Sequence, residues 1–161
     1  MSHKMRVRAA AILIHEGKIL LNKFGGGQYY NITGGGVEEN ETAKQAVVRE
    51  VMEEAGLAVE VEDLVFTLEY EPKSCNYHYG NNGCITLFFR CKLNTEVPLQ
   101  APSNPDVNPD DPSITSKHKW VAISDLCKIN LVPPISEQLI NYVETGLFTP
   151  SFYETHIFES F

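Results

Sequence analysis

The sequence predicts an α/β fold. Three observations carry the prediction. Stretches rich in β-branched, aromatic and aliphatic residues recur at strand length along the chain. Two longer stretches, residues 41–55 and 135–145, stop at a glycine as helices do. The 161 residues, 43% hydrophobic and 21% charged, suit one domain, 1–161, that buries its own core.

Taken in order, residues 6–15 alternate weakly and are rich in Ala, Ile, Leu and Val, so they read as a strand. Residues 18–24 read as its hairpin partner, turned at Glu16-Gly17. Gly25-Gly26-Gly27 breaks regularity, and residues 29–32 form one more short extended piece. Gly34-Gly35-Gly36 is a second glycine cluster, followed by a helix over about 41–55 that Gly56 ends. Residues 57–70 and 84–93 are strands, joined through 71–83 with a turn signal at Asn81-Asn82-Gly83. Residues 94–116 carry five prolines and are long for a structureless connection, which makes them a candidate substrate-covering loop or an idle surface excursion. A short strand over 119–123 and a helix over 135–145, begun after Pro133-Pro134 and ended at Gly146, complete the set. The tail, 146–161, holds five aromatics (Phe148, Phe152, Tyr153, Phe158 and Phe161) and must dock on its own domain or on a partner subunit, which leans the reading towards a homodimer.

Composition excludes several classes. With 21 acidic against 13 basic side chains the net charge is −8, so the chain makes a poor general binder of nucleic acid. The longest aliphatic run, residues 9–14, is far too short for a membrane span. The first residues carry no small-residue cleavage site, so no secretory leader is expected and the cytoplasm is the expected compartment. Cys75, Cys84, Cys91 and Cys127 lack close C-x-x-C spacing, and reduced thiols are expected, a Cys75–Cys84 bridge being the alternative. An anionic ligand would need a positive group between it and this acidic chain.

The chemistry concentrates in residues 34–57. At about 100° per residue, Glu50, Glu53 and Glu54 share an arc of about 100° on adjacent turns. A solvated face would set such glutamates against Lys or Arg at i+4; like charges at i, i+3 and i+4 are unfavourable. A hard divalent cation reverses that sign, and Mg²⁺ or Mn²⁺ suits carboxylate oxygens better than zinc does. The preceding Gly34-Gly35-Gly36 allows close backbone approach and positive φ beside the helix, where a phosphate or metal could lie. Mg²⁺ is commonly held by a few carboxylates together with substrate phosphates, so the cation answers the charge problem.

Gly35, five residues, Glu41, seven residues, then Arg49-Glu50-Val51-Met52-Glu53-Glu54-Ala55-Gly56-Leu57 resembles the Nudix box without a departure. A chance match is on the order of one in ten million per chain. The element order over about residues 6–145 also resembles the Nudix fold, which implies an α/β/α sandwich with a mixed, curved sheet between the two helices. Many members have Pro before the paired glycines; Thr33 stands there in this chain, at a cost in loop rigidity but not in chemistry. The resemblance implies hydrolysis of a nucleoside diphosphate linked to another group, by water attack on phosphorus. It implies Mg²⁺ or Mn²⁺ held by Glu50, Glu53 and Glu54, with the Gly34 carbonyl as a further ligand. Glu50 or Glu53 would accept the proton of the water, although some members take the base from a loop, and Arg49 would orient a neighbouring glutamate. Glu41 is structural in this reading.

Substrate contacts are expected from Gly35, Gly36, Arg6 and Arg8, and from Tyr29. Arg6 and Arg8 lie two apart on one strand face, and Tyr29, Tyr30 and Phe24 could stack on a base or simply pack. Glu38 and Glu39 read as helix-leading acids. Glu96, Asp106, Asp110 and Asp111 are the loop acids that could add a ligand or base. Trp120 reads as core, and the histidines lack ligand spacing. Two alternatives stand beside the hydrolase. One is a catalytically silent nucleotide-binding or regulatory module, against which the intact box argues. The other is an isoprenoid diphosphate isomerase, for which no cysteine environment argues.

Overall fold

The computed structural model describes residues 4–75, 80–108 and 111–154. Its strands are β1 (Arg6–His15), β2 (Lys18–Phe24), β3 (Tyr29–Ile32), β4 (Gly34–Gly36), β5 (Val59–Tyr70), β6 (Cys84–Leu93), β7 (Lys117–Ala122) and β8 (Phe152–Glu154). Two helices, α1 (Ala43–Ala55) and α2 (Ser136–Thr145), complete the set, with 3-10 turns at Lys73–Cys75 and Ile123–Lys128. The strands form one mixed sheet in the order β3-β2-β1-β6-β5-β8, with β7 on β2 and β4 on β1. The pairs β1–β6 and β5–β8 are parallel and the others antiparallel.

β1 changes partner along its length. Its end pairs with β2 at Ile14↔Ile19 and His15↔Lys18, while its start takes β4, from Arg8↔Gly36 to Ala10↔Gly34. The sheet therefore divides beside β1, and the box helix runs past the division. Alternation along β1 sorts the core into two layers. Ala9, Ala11 and Leu13 pack with Ala46, Val47, Val51 and Ala55 of α1. Ala10 and Ile12 pack in the other layer with Phe66, Phe88, Ile135 and with Leu139 of α2. Val47 and Val51 are fully buried, each stabilising the fold by about 1.5–3 kcal/mol.

The expected α/β sandwich is present, and the expected strands fall within a residue or two of their places. α1 starts at Ala43 because Thr42 caps it: its hydroxyl accepts from Gln45 N while the Gln45 side chain accepts from Thr42 N. Gly56 ends it at φ 68, and a Cβ there would also run into the Gln100 carbonyl, so glycine is required twice over. Glu38 and Glu39 precede the cap and so are not part of the helix.

The second glycine cluster forms β4 rather than a positive-φ loop: none of Gly34, Gly35 and Gly36 has positive φ. Their absent Cβ atoms serve close approach alone. A Cβ on Gly34 would collide with the backbone of β1 at Ala9 and Ala10. Loop 94–116 is pinned to the C-terminal end of α1. Ser103 N and Asn104 N both donate to Glu53 O at 2.9 Å, and Gln100 N donates to Gly56 O.

The tail docks on its own domain as far as Glu154. Phe148 is buried and stacks on Phe66 at 3.8 Å, Tyr153 is buried, and β8 pairs with β5. Phe158 and Phe161 lie outside the described residues, as does Asp110. Trp120 is half-buried and packs against the α1 layer. Cys84, Cys91 and Cys127 carry free thiols, and the Cys75 side chain of the alternative bridge lies outside the described residues. Among the described residues no helix is long and apolar enough to cross a membrane.

Candidate active site

Arg49 is the hub of the box. Its Nε and Nη2 donate to the two carboxylate oxygens of Glu41 at 3.1 and 2.6 Å, a bidentate pair across eight residues of chain. Nη2 also donates to Gly36 O at 3.0 Å, tying β4 to the helix. Nη1 donates to Glu50 Oε1 at 2.9 Å and to Glu53 Oε2 at 3.4 Å, and lies 3.8 Å from Glu38. These contacts hold the Arg49 charge firmly, the Glu41 pair contributing most, and keep the Glu41 carboxyl below the usual carboxylate range. Glu41 also accepts from Glu38 N at 2.8 Å. Its structural reading stands on those bonds.

Gly35 faces Glu50. A Cβ on Gly35 would collide with the Glu50 carboxylate, so the box glycine is the space into which that side chain folds. Glu53 is more exposed, with Arg49 one turn before it.

Glu54 differs from both. It is 5% exposed, and burial, with Asp106 and then Glu50 adding repulsion, pushes its pKa to about 8. Asn22 Nδ2 of β2 donates to Glu54 Oε2 at 3.3 Å, and Thr33 Oγ1 donates to Asn22 Oδ1 at 3.2 Å. Asn22 and Thr33 are both buried. The Thr33 hydroxyl therefore fixes the amide that grips a box glutamate. Thr33, read in the sequence only for loop rigidity, is thus tied through Asn22 to a box glutamate. Asn22 was legible only as a polar residue in an apolar strand.

The other candidates divide. Arg8 belongs to the site: its Nη2 donates to Gly34 O at 3.4 Å, and its charge favours the ionised forms of Glu54 and Asp106. Arg6 is exposed, with its guanidinium beside Gly36. Of the loop acids, Asp106 repels the Glu54 charge, and its own carboxyl is raised by burial. Glu96 and Asp111 are exposed, and Asp111 accepts from Ser113 instead. Tyr29 stacks on Phe24 at 4.6 Å with an angle of 7°, while Tyr30 is core.

The donor set is all oxygen: three helix carboxylates, Asp106 and a backbone carbonyl. Such donors fit a hard divalent cation. Buried acids that repel one another, as Glu54 and Asp106 do, are what a cation would relieve. As placed, Arg49 draws Glu50 and Glu53 while Asn22 draws Glu54, so among the described residues no three His, Cys, Asp or Glu side chains converge.

The NUDIX domain family model matches residues 5–143. A MutT-like protein of Streptomyces ambofaciens is 32% identical over 87 residues, which are 53% of this chain and 51% of that protein, so the match spans about half of that relative. A NUDIX hydrolase from Nitrosomonas europaea superposes with a TM-score of 0.68 at 22% identity, over 91% of this chain and 93% of that one. An ADP-ribose pyrophosphatase from Streptococcus suis superposes with a TM-score of 0.61 at 24% identity, over 94% and 98%. At such identities these structures speak for the fold alone.

Proposed function

The chain belongs to the Nudix family, and on that premise we propose that it hydrolyses a pyrophosphate bond in a nucleoside diphosphate linked to another moiety, with the help of a divalent cation. One observation carries the reading: Glu54 is buried and feels the repulsion of Asp106 and Glu50, a cost that a cation drawn between them would relieve.

Glu50, Glu53 and Glu54 would hold Mg²⁺ or Mn²⁺, with Asp106 and the Gly34 carbonyl as further oxygens. A bound cation supplies a lowered water pKa and neutralises charge that develops on phosphate. The residues do the rest. Asn22, oriented by Thr33, holds Glu54 in place. Arg49 positions Glu50 and Glu53 from the same turn of helix. Glu50 or Glu53 accepts the proton of the attacking water, and Arg8, with Arg6 beside Gly36, faces the phosphates over Gly35 and Gly36. Tyr29, backed by Phe24, offers a stacking face. One domain, working in the cytoplasm, would suffice for this chemistry.

The test is phosphate release, with phosphatase added, from ADP-ribose, nucleotide sugars, dinucleoside polyphosphates and (d)NTPs, in Mg²⁺, Mn²⁺ or EDTA. EDTA-sensitive turnover of one class is expected. Metal binding without turnover of any class would overturn the hydrolase in favour of a nucleotide-binding module.

A further inference from the structure

Three buried side-chain polar atoms lack a hydrogen-bond partner among the described residues: Asn31 Oδ1, Ser116 Oγ and His118 Nε2. Such atoms are rare in folded proteins, because each has given up water without a bond in return. Register gathers them. Asn31 of β3 and His118 of β7 are both direct cross-strand partners of Asn22 on β2, so the three side chains stand in one row on one face of the sheet. That face carries the carboxylates, since Asn22, in the middle of the row, donates to Glu54 Oε2. Ser116 is 5% exposed and lies two residues before His118, so alternation places it on the same face. Its N donates at 2.7 Å to the backbone O of Asp106, the acid that repels Glu54.

The same face continues into an aromatic pair. Phe24 lies two residues beyond Asn22 and stacks on its strand partner Tyr29, which lies two residues before Asn31. A flat ring laid along β2 from the Glu54 end towards Phe24 would have Asn31 and Tyr29 on one side and His118 and Ser116 on the other. The chemistry of the three open groups selects the ligand. None is charged, because burial keeps the His118 ring neutral. An amide, a hydroxyl and a neutral imidazole both donate and accept. A phosphate, which only accepts, would call for cations instead, whereas the edge of a nucleobase mixes donors with acceptors. A ring reaches these buried atoms only when a bordering segment shifts, and the 94–116 loop borders the row: Asp106 joins Ser116, and Val107 bridges Thr115.

We propose that Asn31, Ser116 and His118 form a slot that recognises the nucleobase of the substrate, so that the chain selects among nucleotides by their base. That the ligand is a substrate rests on the hydrolase reading; the slot itself does not. AMP, GMP, CMP and UMP contain no anhydride, so each is titrated calorimetrically in Mg²⁺ without turnover, beside ribose 5-phosphate, which lacks the base. Wild type is expected to bind one of the four at least tenfold more tightly than ribose 5-phosphate. Asn31→Leu and His118→Phe should each cut the affinity for that nucleotide at least fivefold and leave that for ribose 5-phosphate unchanged, with thermal midpoints checking folding. A ¹⁵N-histidine spectrum of wild type reads the slot without any variant: the signal of a ring still neutral at pH 5.5 should shift with that nucleotide and stay in place with ribose 5-phosphate. Equal affinity for all five compounds, an unmoved ring signal, or equal losses on nucleotide and ribose 5-phosphate in both variants would overturn the slot. Turnover of a pyrophosphate substrate beside base-blind binding would overturn the slot and leave the hydrolase. Base-selective, His118-dependent binding by a chain that turns over nothing would leave the slot standing and remove the hydrolase.

Discussion

Glu54→Gln separates the electrostatics of the site from its packing. The substitution keeps the volume and lets the new amide meet Asn22, but it removes a carboxyl whose pKa rises from 4.5 to about 8 on folding. The sign follows from linkage. A group with a raised folded pKa favours the fold fully below 4.5 and loses that advantage as pH rises towards 8. At about 1.4 kcal/mol per unit, metal-free wild type loses roughly 3 kcal/mol by pH 7 and about 5 kcal/mol above pH 8. The Gln variant loses none of it. Urea unfolding in EDTA should therefore find the two proteins within about 1 kcal/mol at pH 4.5 and the variant several kcal/mol more stable at pH 8.5. Mg²⁺ should narrow the gap, since a ligand at 100 times its Kd adds about 2.7 kcal/mol and the variant has lost a carboxylate that would hold it. Turnover should vanish in the variant. A stability gap that ignores pH, or Mg²⁺ that stabilises both proteins equally, would refute the reasoning.

Three further outcomes are expected. Gly35→Ala forces the Glu50 carboxylate out of its space; kcat should fall at least tenfold while helix content by circular dichroism stays unchanged. Asn22→Leu leaves the Glu54 carboxyl and the Thr33 hydroxyl without the partner they share, costing about 1–3 kcal/mol in urea unfolding and about 10–100-fold in metal affinity by titration. His118, whose pKa burial lowers from 6.5 to about 4, favours the fold above pH 6.5 and loses that as pH falls to 4. Discounted for partial exposure, the effect is about 1–2 kcal/mol, and His118→Phe should remove that slope when compared with wild type from pH 4 to 7.

The legible parts of the molecule are those written locally. Strand patterns fix β1, β2, β3 and β6 because a half-buried strand alternates within its own few residues. The spacing of Glu50, Glu53 and Glu54 is readable for the same reason, since α1 alone sets their arc. Gly56 and Gly146 mark both helix ends through their own left-handed backbone. Even Arg49 is nearly local: its carboxylate partners lie within eleven residues of it.

One illegible part is the point at which β1 exchanges β2 for β4. There a strand of three glycines replaces a hairpin partner, and no residue pattern of Gly-Gly-Gly announces a strand. The contacts missed in the sequence join segments far apart along the chain, the β5–β8 pairing at the other edge of the sheet among them. Asn22 reaches Glu54 across 32 residues, and Asp106 comes from a loop tied down at the far end of α1. None of these pairs has a local signature, because each polar partner is unremarkable on its own strand or loop. The box thus supplies its carboxylates from one helix, whereas the groups that hold or repel them come from β2 and the 94–116 loop. Substitutions in the helix should accordingly test the chemistry, and substitutions at Asn22 in β2 and Asp106 in the 94–116 loop should test what sets the charge and place of Glu54.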